Sequence, residues 1–171
     1  MNRLALSTIA IAALASPVFA GDPPPSAFFQ LSDRNAAAGI DLSLGAGSGM
    51  TSWVVDDVNR LNLQGFWYRT PGMESESNIA NLFRVGAFLS DTNPFVDDNF
   101  DTLAVRYEGP QRSYFIDTTW TLRGGAFGSS VSSIAETIRI TNNNLQAPLT
   151  ISFFQYSDFD LSGGVRGQPF P

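Results

Sequence analysis

Short segments in which apolar and polar residues alternate run through most of the chain and constrain its fold more than any other feature. A period of two is that of a β-strand with one buried face and one solvated face. It is clearest in 103–107 and 114–122, where large apolar residues occupy every second position except that of Thr118. On this pattern we predict strands at 27–31, 51–55, 61–69, 103–107, 114–122, 134–141 and 149–156.

Residues that favour turns separate these segments. Gly124 and Gly125 supply one turn, and the asparagine run 142–144 supplies another. We predict that the asparagine run forms a hairpin between the last two strands, and that 34–38 and 74–82 hold one or two helical turns. Strands and turns at this spacing predict an all-β chain folded as an antiparallel β-sandwich, of the jelly-roll or Ig-like kind.

The N-terminus has the three parts of an export signal. Arg3 precedes an apolar run at 4–14, and Val18-Phe19-Ala20 suits a signal peptidase. The run is shorter than the roughly 20 residues that cross a bilayer. We therefore expect cleavage near Ala20 and a secreted, cell-surface or periplasmic protein. The predicted organisation is a signal peptide at 1–20, a Pro-rich leader at 21–26 and a β-sandwich domain at 27–171.

Composition excludes several function classes. The chain has 10 basic and 16 acidic residues and neither histidine nor cysteine. It has no disulfides, no Ser-His-Asp triad, no thiol nucleophile and no zinc site of the usual nitrogen or sulfur kind. A net charge of −6 argues against nucleic acid as a partner. We expect a non-catalytic protein; the enzyme alternative is a carboxylate-based glycoside hydrolase using the mid-strand Asp117 and Glu136.

The segment 91–101 is the best candidate for a metal site. It contains four carboxylates within eleven residues, and oxygen ligands of this kind suit Ca²⁺. The alternative is that these residues only form turns between strands. We expect no other cofactor. The candidate Ca²⁺ ligands are Asp91, Asp97, Asp98 and Asp101.

The tryptophans are the candidate ligand-binding residues. Aromatic rings at strand spacing can form a platform on which sugar rings stack, and they can equally belong to the core. Under the first interpretation the binding residues are Trp53, Trp67 and Trp120.

Several segments together resemble a group of uncharacterised exported bacterial proteins, many of them of the PEP-CTERM sorting type. The resemblance covers 27–162 and implies export without implying an activity or catalytic residues. Such proteins usually continue with more strands, a Pro-Glu-Pro motif, an apolar helix and an arginine cluster, and this chain has none of these. The segments that carry the resemblance are 49–56, 64–69, 95–98, 101–107, 121–125, 140–142 and 153–161.

The predicted strand 149–156 is apolar on both faces, so as an exposed edge it would promote aggregation. We therefore expect a further strand beyond Pro171, in a chain truncated at its C-terminus, or a partner that covers this edge. The expected function is that of a non-catalytic exported β-sandwich domain of the bacterial cell surface or extracellular matrix. The alternatives are a carbohydrate-binding module and a Ca²⁺-stabilised surface domain. The expected partners are extracellular polysaccharide or cell-surface proteins, with no nucleic acid and no membrane span in the mature chain.

Overall fold

A computed structural model describes residues 27–160, which form two antiparallel β-sheets. The predicted all-β antiparallel sandwich is confirmed. The predicted signal peptide and leader at 1–26, and residues 161–171, lie outside the described residues.

The first sheet contains the N-terminal strands together with the last strand of the described chain. Its members are β1 (Phe28–Asp33), β2 (Ala36–Asp41), β3 (Gly49–Val55), the short β4 (Val58–Asn59), β5 (Leu61–Arg69), the short β6 (Ser77–Asn78) and β11 (Ser152–Phe159). The second sheet is formed by β7 (Phe83–Ser90), β8 (Thr102–Glu108), β9 (Tyr114–Gly124) and β10 (Ser132–Asn142).

Strands that follow one another in the chain are mostly neighbours in the sheets. The main path of the first sheet is β1-β2-β3-β5-β11, and that of the second is β10-β9-β8-β7. After β10 the chain crosses to the first sheet, where β11 pairs antiparallel with β5. The two long strands β10 and β11 therefore lie in different sheets.

The hairpin predicted at the asparagine run is wrong, because β10 pairs with β9 and β11 with β5. The asparagines bind elsewhere. Asn143 donates from its backbone N–H to the carbonyl of Ser113 and from its side chain to the carbonyl of Arg112. Asn142 donates to the carbonyl of Ala147, within the connection itself. These bonds tie the connection to the β8–β9 turn and carry the chain across to the other sheet.

Four strands are absent from the sequence prediction: the long β2 and β7 and the short β4 and β6. The helical turns expected at 34–38 are wrong, because Arg34 turns the chain in the left-handed region and β2 begins at Ala36. In 74–82 the helical part is a single 3-10 turn, Ile79–Asn81, whose N-cap Asn78 accepts a hydrogen bond from the N–H of Ala80. Within 27–160 no helix is long and apolar enough to cross a membrane.

Alternate side chains of the two sheets meet in one core. Burying a large apolar side chain stabilises the fold by about 1.5–3 kcal/mol, and the second sheet supplies the largest one, Trp120. The fully buried apolar side chains are Leu31, Ile40, Leu61, Leu103, Val105, Tyr107, Ile116 and Leu122.

The two sides of the sandwich differ. On one side, the N–H of Ser32 in β1 donates to the carbonyl of Phe100, just before β8, and joins the sheets. On the other side, β10 and β11 are the edge strands of their sheets among the described strands. The inward-facing Ile134, Ile138 and Ile140 of β10 are only half-buried, and Phe159 of β11 is half-exposed. The sandwich is therefore open between β10 and β11.

Candidate functional site

A cleft of about 210 Å³ lies at the open side of the sandwich. Both sheets contribute to it, with the first sheet supplying β3, β5 and β11 and the second supplying β10. We call it the Glu136 cleft, since Glu136 is the only ionisable residue among the described residues that line it. The lining residues are Met50, Trp53, Gln64, Ile134, Glu136, Gln155, Ser157 and Phe159.

The alternation of β10 places Glu136 on the inner face of the strand, in phase with Ile134 and Ile138. One of its oxygens, Oε2, accepts two hydrogen bonds from the opposite sheet. Nε2 of Gln64 donates at 2.8 Å, and Nε2 of Gln155 donates at 3.0 Å. Because Gln64 belongs to β5 and Gln155 to β11, the carboxylate joins the two sheets across the open side.

The surroundings of Glu136 act on its pKa in opposite directions. Burial raises the pKa of the carboxyl, because a charge is poorly solvated there, and this effect prevails. Hydrogen bonding by Gln64 and Gln155, and the indole N–H of Trp120, favour the charged form and lower the pKa. Trp120 is directly opposite Glu136 in the β9–β10 register. The cleft thus holds a partly desolvated carboxylate, and hydrogen bonds from the amide donors partly compensate for its lost solvation.

Oε1 of Gln64 is buried and has no hydrogen-bond partner. Leaving a buried acceptor unpaired costs about 1–3 kcal/mol. Oε1 of Glu136 and Nε1 of Trp120 are also buried, and the indole N–H interacts with the carboxyl of Glu136 without ideal hydrogen-bond geometry. Gln64 and Trp120 are each only 2% exposed.

The structure brings two of the three predicted ligand-binding tryptophans close to Glu136. Trp53 lines the cleft, and its Nε1 donates to Oγ of Ser132 in the opposite sheet at 3.2 Å. Trp120 belongs to the core, where its ring packs 5.9 Å from that of Phe66. Only Trp53 is therefore placed to contact a ligand in the cleft.

Trp67 lies on the outer face of the first sheet, away from the cleft. Its ring covers Gly65, where a Cβ atom would come within 3.0 Å of the indole. Tyr156 of β11 packs edge-on against it, with ring centroids 6.1 Å apart. Trp53, Trp67 and Trp120 accordingly do not form one platform.

The two carboxylates considered for hydrolysis are on opposite faces of the second sheet. Asp117 lies on the outer face, where both of its oxygens accept hydrogen bonds from Arg106 at 2.6 and 2.9 Å. Glu136 faces inward. A pair of carboxylates must flank one bond of the substrate, and the structure does not bring these two together.

The four acidic residues of 91–101 act separately. Asp101 is 1% exposed, and its oxygens accept hydrogen bonds from the N–H and hydroxyl of Thr92 and from the hydroxyl of Thr102. Asp91 and Asp97 each accept from a backbone N–H two residues on, which is typical of turns, and Asp98 is exposed. Within 27–160 no three acidic side chains come together as a metal site would require.

Sequence reasoning did not assign Gln64, Gln155, Ser157 or Phe159 to a site. One signal was present: Glu136 lies among isoleucines on the face of β10 that its alternation directs inward. A carboxylate on an apolar face indicates a partner within the core. The identity of that partner depends on how the two sheets stack, which one strand does not show.

Comparisons of the chain with protein-family models, with curated proteins and with solved structures give no match.

Proposed function

We propose that this chain is a non-catalytic domain exported to the bacterial cell surface or extracellular matrix, where it binds a ligand in the Glu136 cleft. The observation that carries the binding role is the cleft between the two sheets, in which three polar side chains, Glu136, Gln155 and Ser157, lie beside an aromatic wall. Polar groups of this kind, few in number and convergent in an otherwise apolar cleft, are typical of ligand sites.

Export is supported by the first twenty residues, which combine one cation, a short apolar run and a small-residue cleavage site. An acidic surface without lysine agrees with an extracellular role better than with binding to nucleic acid. The partners we propose are extracellular polysaccharide or cell-surface proteins.

The test of export is fractionation of a Gram-negative host that expresses the full chain. We expect the protein outside the cytoplasm, with Gly21 as its first residue. Ile11→Asp interrupts the apolar run and is expected to retain the chain in the cytoplasm, whereas the matched change Pro24→Asp lies outside the run and leaves export intact. Retention of the unchanged chain in the cytoplasm would overturn the proposal.

The non-catalytic role has its own test. The purified protein, incubated with a panel of bacterial and plant polysaccharides, is expected to release no reducing ends above the level of a heat-treated sample. Release that disappears in Glu136→Gln would instead identify Glu136 as a catalytic acid, because the substitution keeps the size of the side chain and removes its titrating group.

A further inference from the structure

Three of the four outermost long strands among the described residues are protected against pairing with another strand. Natural proteins protect sheet edges with covering segments, bulges or charges that face inward. In β1 the N–H of Ser32 already donates to the carbonyl of Phe100. The register of β7 is irregular between Arg84 and Gly86, and the middle of β10 carries the inward-facing carboxylate of Glu136. The fourth outer strand, β11, has none of these devices along most of its length.

The composition of β11 suits pairing with a further strand. Its eight residues include four aromatic rings and neither proline nor arginine. The single charge, Asp158, lies near the C-terminal end of the strand, beside the register shift with β5. Just beyond the strand, the N–H of Asp160 donates to the carbonyl of Arg60, on the side of β5. Because backbone groups alternate in direction along a strand, the N–H and C=O groups of the odd-numbered residues of β11 point to the outer edge.

The outer face of β11 continues an aromatic strip that begins on β5. Phe154 lies opposite Trp67, and Tyr156 lies opposite Gly65, in the β5–β11 register. The ring of Tyr156 packs edge-on against Trp67, and the guanidinium of Arg69 lies 5.9 Å from the centre of the Phe154 ring. Phe154 and Tyr156 are 36% and 53% exposed. The strip therefore ends at the unprotected edge with two partly exposed rings.

We propose that two copies of this chain associate by antiparallel pairing of their β11 strands about a twofold axis at Gln155. A twofold pairing is self-complementary, so each contact away from the axis occurs twice. On the outer face, Phe154 of each copy lies opposite Tyr156 of the other, and aromatic cross-strand pairs of this kind stabilise sheets. On the inner face, the half-exposed Phe159 lies opposite Ile151 of the second copy. The inference stands apart from the proposed function, because the pairing requires neither export nor a bound ligand.

The charges at the two ends of β11 select this register. Asp158 of one copy lies opposite Ser152 of the other, and the neighbour of Ser152 on β5 is Arg69. An acidic end thereby meets a basic end on both sides of the axis. Moving the axis to Tyr156 would instead place the carboxylate of Asp158 against the ring of Phe154. Because Asp158 and Arg69 are exposed, their attraction fixes the register more than it adds affinity.

The chain contains no cysteine, so a single introduced thiol tests the position of the axis. Gln155→Cys places one thiol of each copy at the axis, where opposed Cα atoms are about 4.5–5.5 Å apart, within the range of a disulfide. Under mild oxidation of the purified protein, we expect most of it to form a disulfide-linked dimer that reductant separates. Thr137→Cys, at an exposed position in the middle of β10, is the matched control and should stay monomeric on a denaturing gel.

The dissociation constant provides a second test, which starts from the unchanged protein. Sedimentation at concentrations up to about 200 μM covers dissociation constants in the micromolar range, and we expect a reversible dimer. Tyr156→Lys brings a cation next to Arg69 of the second copy and removes both Phe154–Tyr156 pairs, so the dissociation constant should rise about tenfold. Thr137→Lys adds the same charge at the other edge and should leave the constant unchanged. Circular dichroism checks that both variants are folded.

Three results would overturn the inference. The first is a monomer at every concentration, which would leave β11 to a strand of a different protein or to another segment of this chain. The second is a crosslink in Thr137→Cys without one in Gln155→Cys, which would place the contact at β10. The third is an equal dissociation constant for Tyr156→Lys and the unchanged protein. Cytoplasmic retention in the export experiment would reject the proposed location without affecting dimerisation, so the two failures are distinguishable.

Discussion

The buried carboxylate of Asp33 accepts a hydrogen bond from the backbone N–H of Gly124 at 2.8 Å, and this contact joins the β1–β2 turn of one sheet to the β9–β10 hairpin of the other. Asn35 of the same turn and Asp56 of the β3–β4 turn reinforce it. Oδ1 of Asn35 accepts from the N–H of Gly125 at 2.7 Å, and Asp56 accepts from the N–H groups of Gly128 and Ser130. Side chains of the first sheet thus hold the hairpin of the second sheet through its backbone.

Asp33→Ala is expected to lower the free energy of unfolding by about 2–3 kcal/mol. The substitution leaves the N–H of Gly124 without its acceptor, and hydrogen bonds to charged groups are worth about 1.5–3 kcal/mol. It also removes the bond from the amide of Asn93 to Oδ1. Urea denaturation measures the effect. Asp158→Ala, at an exposed position of β11, is the matched control and should change stability by less than about 0.5 kcal/mol; equal losses in both variants would contradict the role given to Asp33.

Gly124→Ala is expected to destabilise the protein by about 3 kcal/mol, because a Cβ atom at this position would lie 2.0 Å from the carbonyl oxygen of Asp33. The backbone of the β1–β2 turn has to move to accommodate the methyl group. Gly47→Ala is the control, since a Cβ there meets nothing within 4 Å. Thermal unfolding should show a clear fall in Tm for the first variant and almost none for the second. Similar Tm values for both would show that the turn moves freely.

Sequence patterns were sufficient to predict the strands whose alternation is strong. They were insufficient for strands that are extended only because neighbouring strands pair with them. The strands β8 and β9 were predicted within a residue or two, since every second side chain except Thr118 is large and apolar. The strand β2, Ala-Ala-Ala-Gly-Ile-Asp, has small residues without a β preference, and it is extended because β1 and β3 pair with it on either side. Partner strands distant in sequence are not visible in a local pattern.

At the candidate site, the alternation of β5 predicts only in part which of its side chains are buried. The alternation correctly groups Gln64 with Phe66 and Tyr68, and these three are buried. It places Leu61 on the opposite face, whereas a register shift between Asp158 and Phe159 of the paired β11 accompanies the burial of Leu61 in the core. The cleft lies beside this irregularity. Its residues come from four strands, so only the stacking of the sheets assembles it.

The ion pair between Arg106 and Asp117 is expected to contribute about 1–2 kcal/mol, because it is bidentate and partly buried on the outer face of the second sheet. The Asp117 carboxylate raises the pKa of Arg106, in agreement with a favourable pairing. A double-mutant cycle with Arg106→Gln and Asp117→Asn measures the coupling energy. The pair Arg112–Glu108 is the comparison. Its arginine is exposed and its contact is longer, at 3.3 Å, so its coupling should stay below about 0.5 kcal/mol.

Asp101→Ala is expected to lower the free energy of unfolding by about 2–4 kcal/mol, in Ca²⁺ and in chelator alike. Both oxygens of this buried carboxylate are occupied by Thr92 and Thr102, which fasten the acidic segment to the start of β8. Melting curves with excess Ca²⁺ and with EDTA test the Ca²⁺-stabilised alternative at the same time. If Ca²⁺ raises the Tm of the unchanged protein but not that of Asp101→Ala, the result favours that alternative.

Glu136→Gln is expected to raise the free energy of unfolding above that of the unchanged protein at pH 7. At pH 3 we expect this gain to be smaller. Burial raises the pKa of Glu136, so the folded protein binds this proton more tightly than the unfolded chain does. Between the unfolded and the folded pKa, the folded state carries more protons, and its stability falls as the pH rises through that window. Glutamine has no such titration. The carboxyl is partly solvated, so the gain should be below about 1 kcal/mol.

Urea denaturation of both proteins at several pH values between 3 and 7 (a range chosen to bracket the usual pKa of glutamate, about 4.3) gives the difference directly. Glu74→Gln, at an exposed site, should show a difference that does not change with pH. A stability difference for Glu136→Gln that is constant with pH would mean that the carboxyl is not desolvated. The expected result, greater stability at neutral pH without the carboxylate, is that of a charge retained at a cost to the fold.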